Sequence, residues 1–113
     1  MQNWLAALSE PTEERVAEAC AEDIVVYRYR IFAEREAVAE TFTGRAEVLE
    51  FLQRSPEGIV WSLVSDDGST ARYHLAMPEH DFENGGTWRY TLREGLLAEL
   101  HHHADAISQD PPA

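Results

Sequence analysis

The segment Arg89-Tyr90-Thr91-Leu92-Arg93-Glu94-Gly95-Leu96-Leu97-Ala98-Glu99-Leu100-His101-His102-His103 reads as two β-strands joined by a tight turn at Glu94-Gly95. A strand sends successive side chains to opposite faces, so Glu99, His101 and His103 project together from the second arm. A carboxylate and two imidazoles on one face are the materials of proton transfer or of a metal site. Their role turns on whether that face looks into a sheltered hollow or out to water.

Upstream of this hairpin, Trp4, Leu5 and Leu8 predict a short first helix, broken at Ser9 and Pro11. Residues 12–21 are rich in Ala and Glu, with Val16, Ala19 and Cys20 at helical spacing. Residues 24–31 are β-branched and aromatic, which predicts a strand paired with a short one at 38–42. Gly44 then opens a helix over 45–54 with an apolar stripe of Val48, Leu49, Phe51 and Leu52. Beyond it nearly everything is strand: 59–65 and 69–77 flank Asp66-Asp67-Gly68, and Asn84-Gly85 is a strong hairpin signal.

The 113 residues suffice for one domain with a proper core, expected over 1–107 with a flexible tail at 108–113. No apolar run approaches the ~20 residues a membrane helix needs, so no membrane partner is expected. A net charge of −12 argues against nucleic acid, whose phosphates would be repelled. All nine basic residues are Arg. Without Lys there is no Schiff-base chemistry and no lysine-anchored pyridoxal group, and no cofactor is expected. Cys20 is the single cysteine, which excludes an internal disulfide; it reads as a small buried thiol on the second helix. The start Met1-Gln2-Asn3-Trp4 lacks the basic residues of a signal peptide, so a cytoplasmic location is expected.

Two-residue turns at Asn84-Gly85 and Glu94-Gly95, with a three-residue turn at 66–68, align the strands. One sheet face then carries a core that includes Ile59, Trp61, Leu63, Tyr73, Leu75, Met77, Leu92 and Leu97. Its far end carries Glu79, Asp81, Trp88, Tyr90, Glu99, His101 and His103. Across strands about 4.8 Å apart, Glu79, Tyr90 and Glu99 form one row, and Asp81, Trp88 and His101 the next. An apolar floor with a polar, aromatic mouth is the usual form of a small-molecule site. Pro78 interrupts the ladder and marks a bulge.

Three stretches carry a family resemblance: Ala21-Glu22-Asp23-Ile24-Val25-Val26, the run from Phe42-Thr43-Gly44 to Leu52, and Glu94-Gly95-Leu96-Leu97 through Asp105. With them the chain resembles the nuclear-transport-factor-2-like superfamily, in its SnoaL-like and ketosteroid-isomerase-like branch. The resemblance implies an α+β fold: a cone-shaped, curved antiparallel sheet wrapped over N-terminal helices and one middle helix, enclosing a pocket. It also implies a homodimer through the sheet. Ketosteroid isomerases carry a catalytic aspartate where Arg28 falls, which speaks against steroid isomerisation here. Iota-class carbonic anhydrases of the superfamily end in a His-His-His-Ser-Ser-like motif, whereas His101-His102-His103 precedes Ala104-Asp105.

The expected function is a small-molecule enzyme using acid–base proton transfer, of isomerase, dehydratase, cyclase or hydrolase type, on a compact, partly apolar molecule. His101 is the expected general base, Glu99 its orienting partner or second acid–base group, and Tyr90 an oxyanion donor, with Asp81 a fourth candidate. Trp88, His103, Glu79, Arg28, Trp61 and Tyr73 are the expected substrate contacts. On the first strand, apolar patterning sends Tyr27 and Tyr29 inward, while the family alignment sends Val26 and Arg28 inward; both readings stand. The alternatives are a non-catalytic ligand-binding or dimerisation module, or a metal-dependent hydratase or hydrolase using Glu99, His101 and His103. No phosphate-binding glycine loop or nucleophile motif is present.

Overall fold

The computed structural model describes residues 1–32 and 35–105; the tail expected at 108–113 lies outside the described residues. The order is α1 (Gln2–Ser9), α2 (Glu13–Ala19), β1 (Cys20–Phe32), β2 (Arg35–Thr43), α3 (Gly44–Gln53), β3 (Val60–Asp66), β4 (Thr70–Met77), β5 (Phe82–Arg93) and β6 (Leu96–Ala104). Thr12 caps α2, its Oγ1 accepting from the Arg15 N–H at 3.1 Å. That helix stops before Cys20, which begins β1 instead of closing the helix, because the strand-forming run behind it extends the backbone. The thiol is fully buried, and burial pushes its pKa up to about 12 against a smaller opposing pull from Arg45. Gly44, at φ +84°, turns the chain from β2 into α3 in a backbone state that disfavours other residues.

The six strands run in the order β2-β1-β6-β5-β4-β3 and the sheet stays open. Neighbours are antiparallel except β1 and β6, which pair in parallel, so the sheet of this α+β fold is mixed. The helices cover one face. Between them and the sheet lie Trp4, Val16, Ile24, Val26, Val48 and Leu100, none more than 1% exposed. Burial of each such side chain is worth roughly 1.5–3 kcal/mol.

Two registers depart from the expected ones and reposition the site. The turn between β4 and β5 is a short 3₁₀ segment at Pro78–His80, closed by Asp81 at φ +49°. Pro78 opens that turn, where a missing N–H costs nothing. Asn84-Gly85-Gly86 therefore lies inside β5 rather than at a turn, and Ala71, Tyr73, Leu75 and Met77 face Trp88, Gly86, Asn84 and Phe82.

The second departure is in the last hairpin. Glu94 and Gly95 do form the turn, both at positive φ, and Leu92 faces Leu97 as expected. The next pair, however, is Thr91 with Glu99, so Ala98 is an unpaired bulge residue. Leu97 and Leu100 are 2% and 0% exposed, yet three residues apart. A period of two buries only one of them; the bulge buries both and reverses every later side chain. Leu92, expected in the core, sits beside the turn and is 51% exposed. In the third hairpin Trp61 faces Leu75 and Leu63 faces Tyr73, a shift of two that leaves the faces unchanged.

Candidate active site

On β1 the family alignment prevails. Val26 is fully buried on the helix-covered face, so Arg28, two residues on, points the same way, and Tyr27 and Tyr29 point to the bare face. A cavity of about 660 Å³ opens between the helices and this part of the sheet. Its walls are mainly apolar, with Trp61, Leu75, Met77, Phe51 and Leu52 among them. Arg28, Tyr73 and His102 bring polar groups into it.

The Tyr73 hydroxyl lies 2.7 Å from Nε2 of His102. The two residues stand on β4 and β6, with β5 between them. The ring can span β5 because its partner there is Gly86: a Cβ at that position would lie 2.3 Å from Tyr73 Oη. The ring is held by stacking on Trp88, centroids 4.4 Å apart, and by Trp61 at 5.4 Å. Burial raises the Tyr73 pKa above the ordinary phenol range.

Burial pushes the His102 pKa down to about 3, with the charge of Arg28 and then His103 acting the same way. The folded chain thus keeps this imidazole neutral, while an unfolded histidine takes up a proton near about 6.5. Below that pH the unfolded state binds the extra proton, so stability falls as pH drops from about 6.5 toward 3. Asp105, held low by Arg72, has the same sign but acts only below about 4. Urea midpoints between about pH 7 and about pH 4 are expected to fall in the parent and to flatten in His102→Phe. Parallel slopes in the two proteins would show that His102 does not stay neutral.

Glu99, His101 and His103 do share a face, and it is the bare one. His101 stacks on Tyr27 at 4.7 Å, with Nδ1 2.7 Å from the Tyr29 hydroxyl and Nε2 2.5 Å from Glu99. His103 stacks on Tyr29 at 4.1 Å; its Nδ1 meets Glu36 at 2.7 Å and its Nε2 accepts from Arg89. That geometry assigns the Nδ1–H tautomer to His103. The two rings are thus tied to different partners. Among the described residues, no three His, Cys, Asp or Glu side chains come together as a metal ion requires.

The other expected site residues divide. Arg28, Trp61 and Tyr73 line the cavity. Trp88 is fully buried in the core, edge-on to Trp4. Tyr90 is also in the core, its hydroxyl donating to Asp66 at the end of β3, and its pKa is pushed up to about 12 by burial and by that bond. Glu79 and Asp81 sit exposed in the turn after β4, away from the row expected for them, because that turn falls earlier than Asn84. Sequence reasoning missed His102 and Gly86. The signal for His102 was the three-residue step from Leu97 to Leu100, which a regular strand cannot bury.

No family model and no curated protein matches the chain. Solved structures do. A ketosteroid isomerase-like protein from Kribbella flavida superposes with a TM-score of 0.71 at 21% identity, covering 99% of this chain and 79% of that one. An NTF2-like protein of unknown function from Mesorhizobium loti gives 0.68 at 15% identity, over 94% and 88% of the two chains. The chain has the NTF2-like fold. A polyketide cyclase-like protein from Sinorhizobium meliloti shares this fold with a TM-score of 0.63 at 15% identity, over 89% and 90%. At such identities the likeness concerns architecture, and NTF2-like chains of unknown function stand beside the two that are named for their likeness to an enzyme. No described helix is long and apolar enough to cross a membrane.

Proposed function

We propose that this NTF2-like protein is a small-molecule enzyme that moves a proton on a compact, partly apolar substrate held in the cavity, with His102 and Tyr73 as its catalytic residues. The observation that supports this is the 2.7 Å contact between Tyr73 Oη and His102 Nε2 on the wall of an otherwise mainly apolar hollow. A neutral imidazole hydrogen-bonded to a phenol offers one transferable proton and one lone pair in either tautomer. When Nε2–H donates to the Tyr73 oxygen, the hydroxyl hydrogen is left to meet a substrate oxygen, and Nδ1 is left as a base. Charge developing on that substrate oxygen would be met by a donor in a water-poor site, where such a bond is strongest. Isomerase, dehydratase, cyclase and hydrolase outcomes all use these parts.

Solvent-deuterium exchange at carbon next to the carbonyl, followed by NMR over a panel of aryl and alkyl ketones, tests the reading. The parent and His101→Phe are expected to exchange at similar rates. His102→Phe is expected to lose about 10²–10⁴-fold, the usual worth of a positioned acid–base group. Exchange that survives His102→Phe but vanishes in His101→Phe would move the chemistry to the bare face; no exchange by the parent would leave a binding module.

A further inference from the structure

We infer that the substrate is an organic carboxylate, its anionic group seated at an arginine-lined mouth and its apolar body in the cavity beyond. This rests on the reading of the cavity as a substrate site and names the chemistry that site takes. A second hollow of about 560 Å³ adjoins the first and shares Arg28, Arg30, Phe51, Ser55 and Pro56 with it. Arg28, Arg30 and Arg54 all line this mouth, three of the nine arginines in the chain. Glu40 is the one carboxylate among its described lining residues. The chain as a whole has 21 acidic residues to nine basic ones, so the mouth inverts the charge balance of the molecule.

Glu40 serves two of the guanidiniums, meeting Arg28 at 2.8 Å and Arg54 at 3.7 Å. One negative charge against three positive ones leaves a net attraction for an anion, focused by the low-dielectric walls. Arg54 is held over the stacked rings of Phe42 and Phe51, 5.5 and 5.9 Å from their centroids. Such seating limits the motion of its donor fork, whose geometry fits a carboxylate in two-point contact. Asp105, at the rim of the larger cavity, does not oppose the anion, because Arg72 neutralises it through bonds of 3.0 and 2.7 Å. Beyond Arg28 the lining turns apolar at Trp61, Leu75 and Met77. The chain lacks a glycine loop to cradle phosphate, and the cavity suits a hydrocarbon or aromatic body. An anion on Arg28 would also offset the charge that acts, second to burial, to hold His102 neutral.

Calorimetric titration of the full chain with 4-phenylbutyrate and with its neutral isostere 4-phenylbutyramide tests this. The carboxylate is expected to bind about 10-fold tighter or more at low ionic strength, as charged hydrogen bonds imply. The gap should shrink in high salt and close in Arg30→Gln/Arg54→Gln, with the fold checked by melting. Equal affinities, absence of binding, or a preference that survives both substitutions would overturn the inference. A carboxylate preference that persists in His102→Phe without His102-dependent proton exchange would sink the proton-transfer reading and leave this one standing. Exchange without any carboxylate preference would do the reverse.

Discussion

Gly86→Ala is expected to disable the cavity chemistry and to weaken the fold in one step. The added methyl would lie 2.3 Å from Tyr73 Oη and 2.4 Å from Cζ, inside any real contact distance. The β5 backbone cannot retreat, since it pairs with β4 on one side and β6 on the other. The ring must therefore leave its place against Trp88 and lose its bond to His102. Overpacking of this kind costs roughly 1–3 kcal/mol, and the unmet polar group adds about 1–3 kcal/mol more. Urea denaturation of Gly86→Ala, alone and combined with Tyr73→Leu, reads the effect. Leucine lacks the clashing Oη, Cζ and Cε2 atoms, so the double variant should recover stability without recovering proton exchange. A single variant as stable as the parent would mean that Tyr73 does not lie over this glycine.

Leu100→Asp is expected to abolish cooperative folding. The bulge lets Leu97 and Leu100 both reach the core while Glu99, His101 and His103 stay on the bare face. Leu100 is fully buried in the cluster between the sheet and the helices. The loss is roughly 1.5–3 kcal/mol for the leucine, with further cost for burying a carboxylate among apolar side chains. Domains of this size have only about 5–15 kcal/mol in hand. Deleting Ala98, by contrast, sets Leu97 and Leu100 two places apart, so an unbroken ladder still sends both inward and keeps His102 on their side. Near-ultraviolet circular dichroism with a thermal melt distinguishes the outcomes: Leu100→Asp should show no tertiary signal and no sharp transition, and the deletion should keep both. A cooperative melt of Leu100→Asp close to that of the parent would show that Leu100 does not lie in the core.

Much of the architecture was legible because it rests on local chemistry. The capped second helix, the glycine that opens α3, the β-branched first strand and the Glu94-Gly95 turn each follow from a few adjacent residues. Lys-free composition and the acidic balance likewise need no coordinates. Errors arose where a local signal met a stronger distant demand. Asn84-Gly85 favours a turn by itself, but Tyr73 needs the neighbouring Gly86 opposite it inside a strand. Pro78 reads as a defect in a ladder, and it starts the turn instead.

The candidate site shows the same division. The sequence alone placed Glu99, His101 and His103 on a common face, since alternation along a strand is a property of the backbone. It also put Trp61 and Tyr73 on a face shared with the core. Which face the imidazoles occupy was settled only by packing: burying Leu97 and Leu100 together, beneath α-helices far away in the chain, inserted one unpaired residue and turned His102 inward in place of His101. Strand periodicity is local and survives in any context, whereas the direction a strand presents depends on which of its neighbours water most strongly excludes, and that is decided by the assembled core.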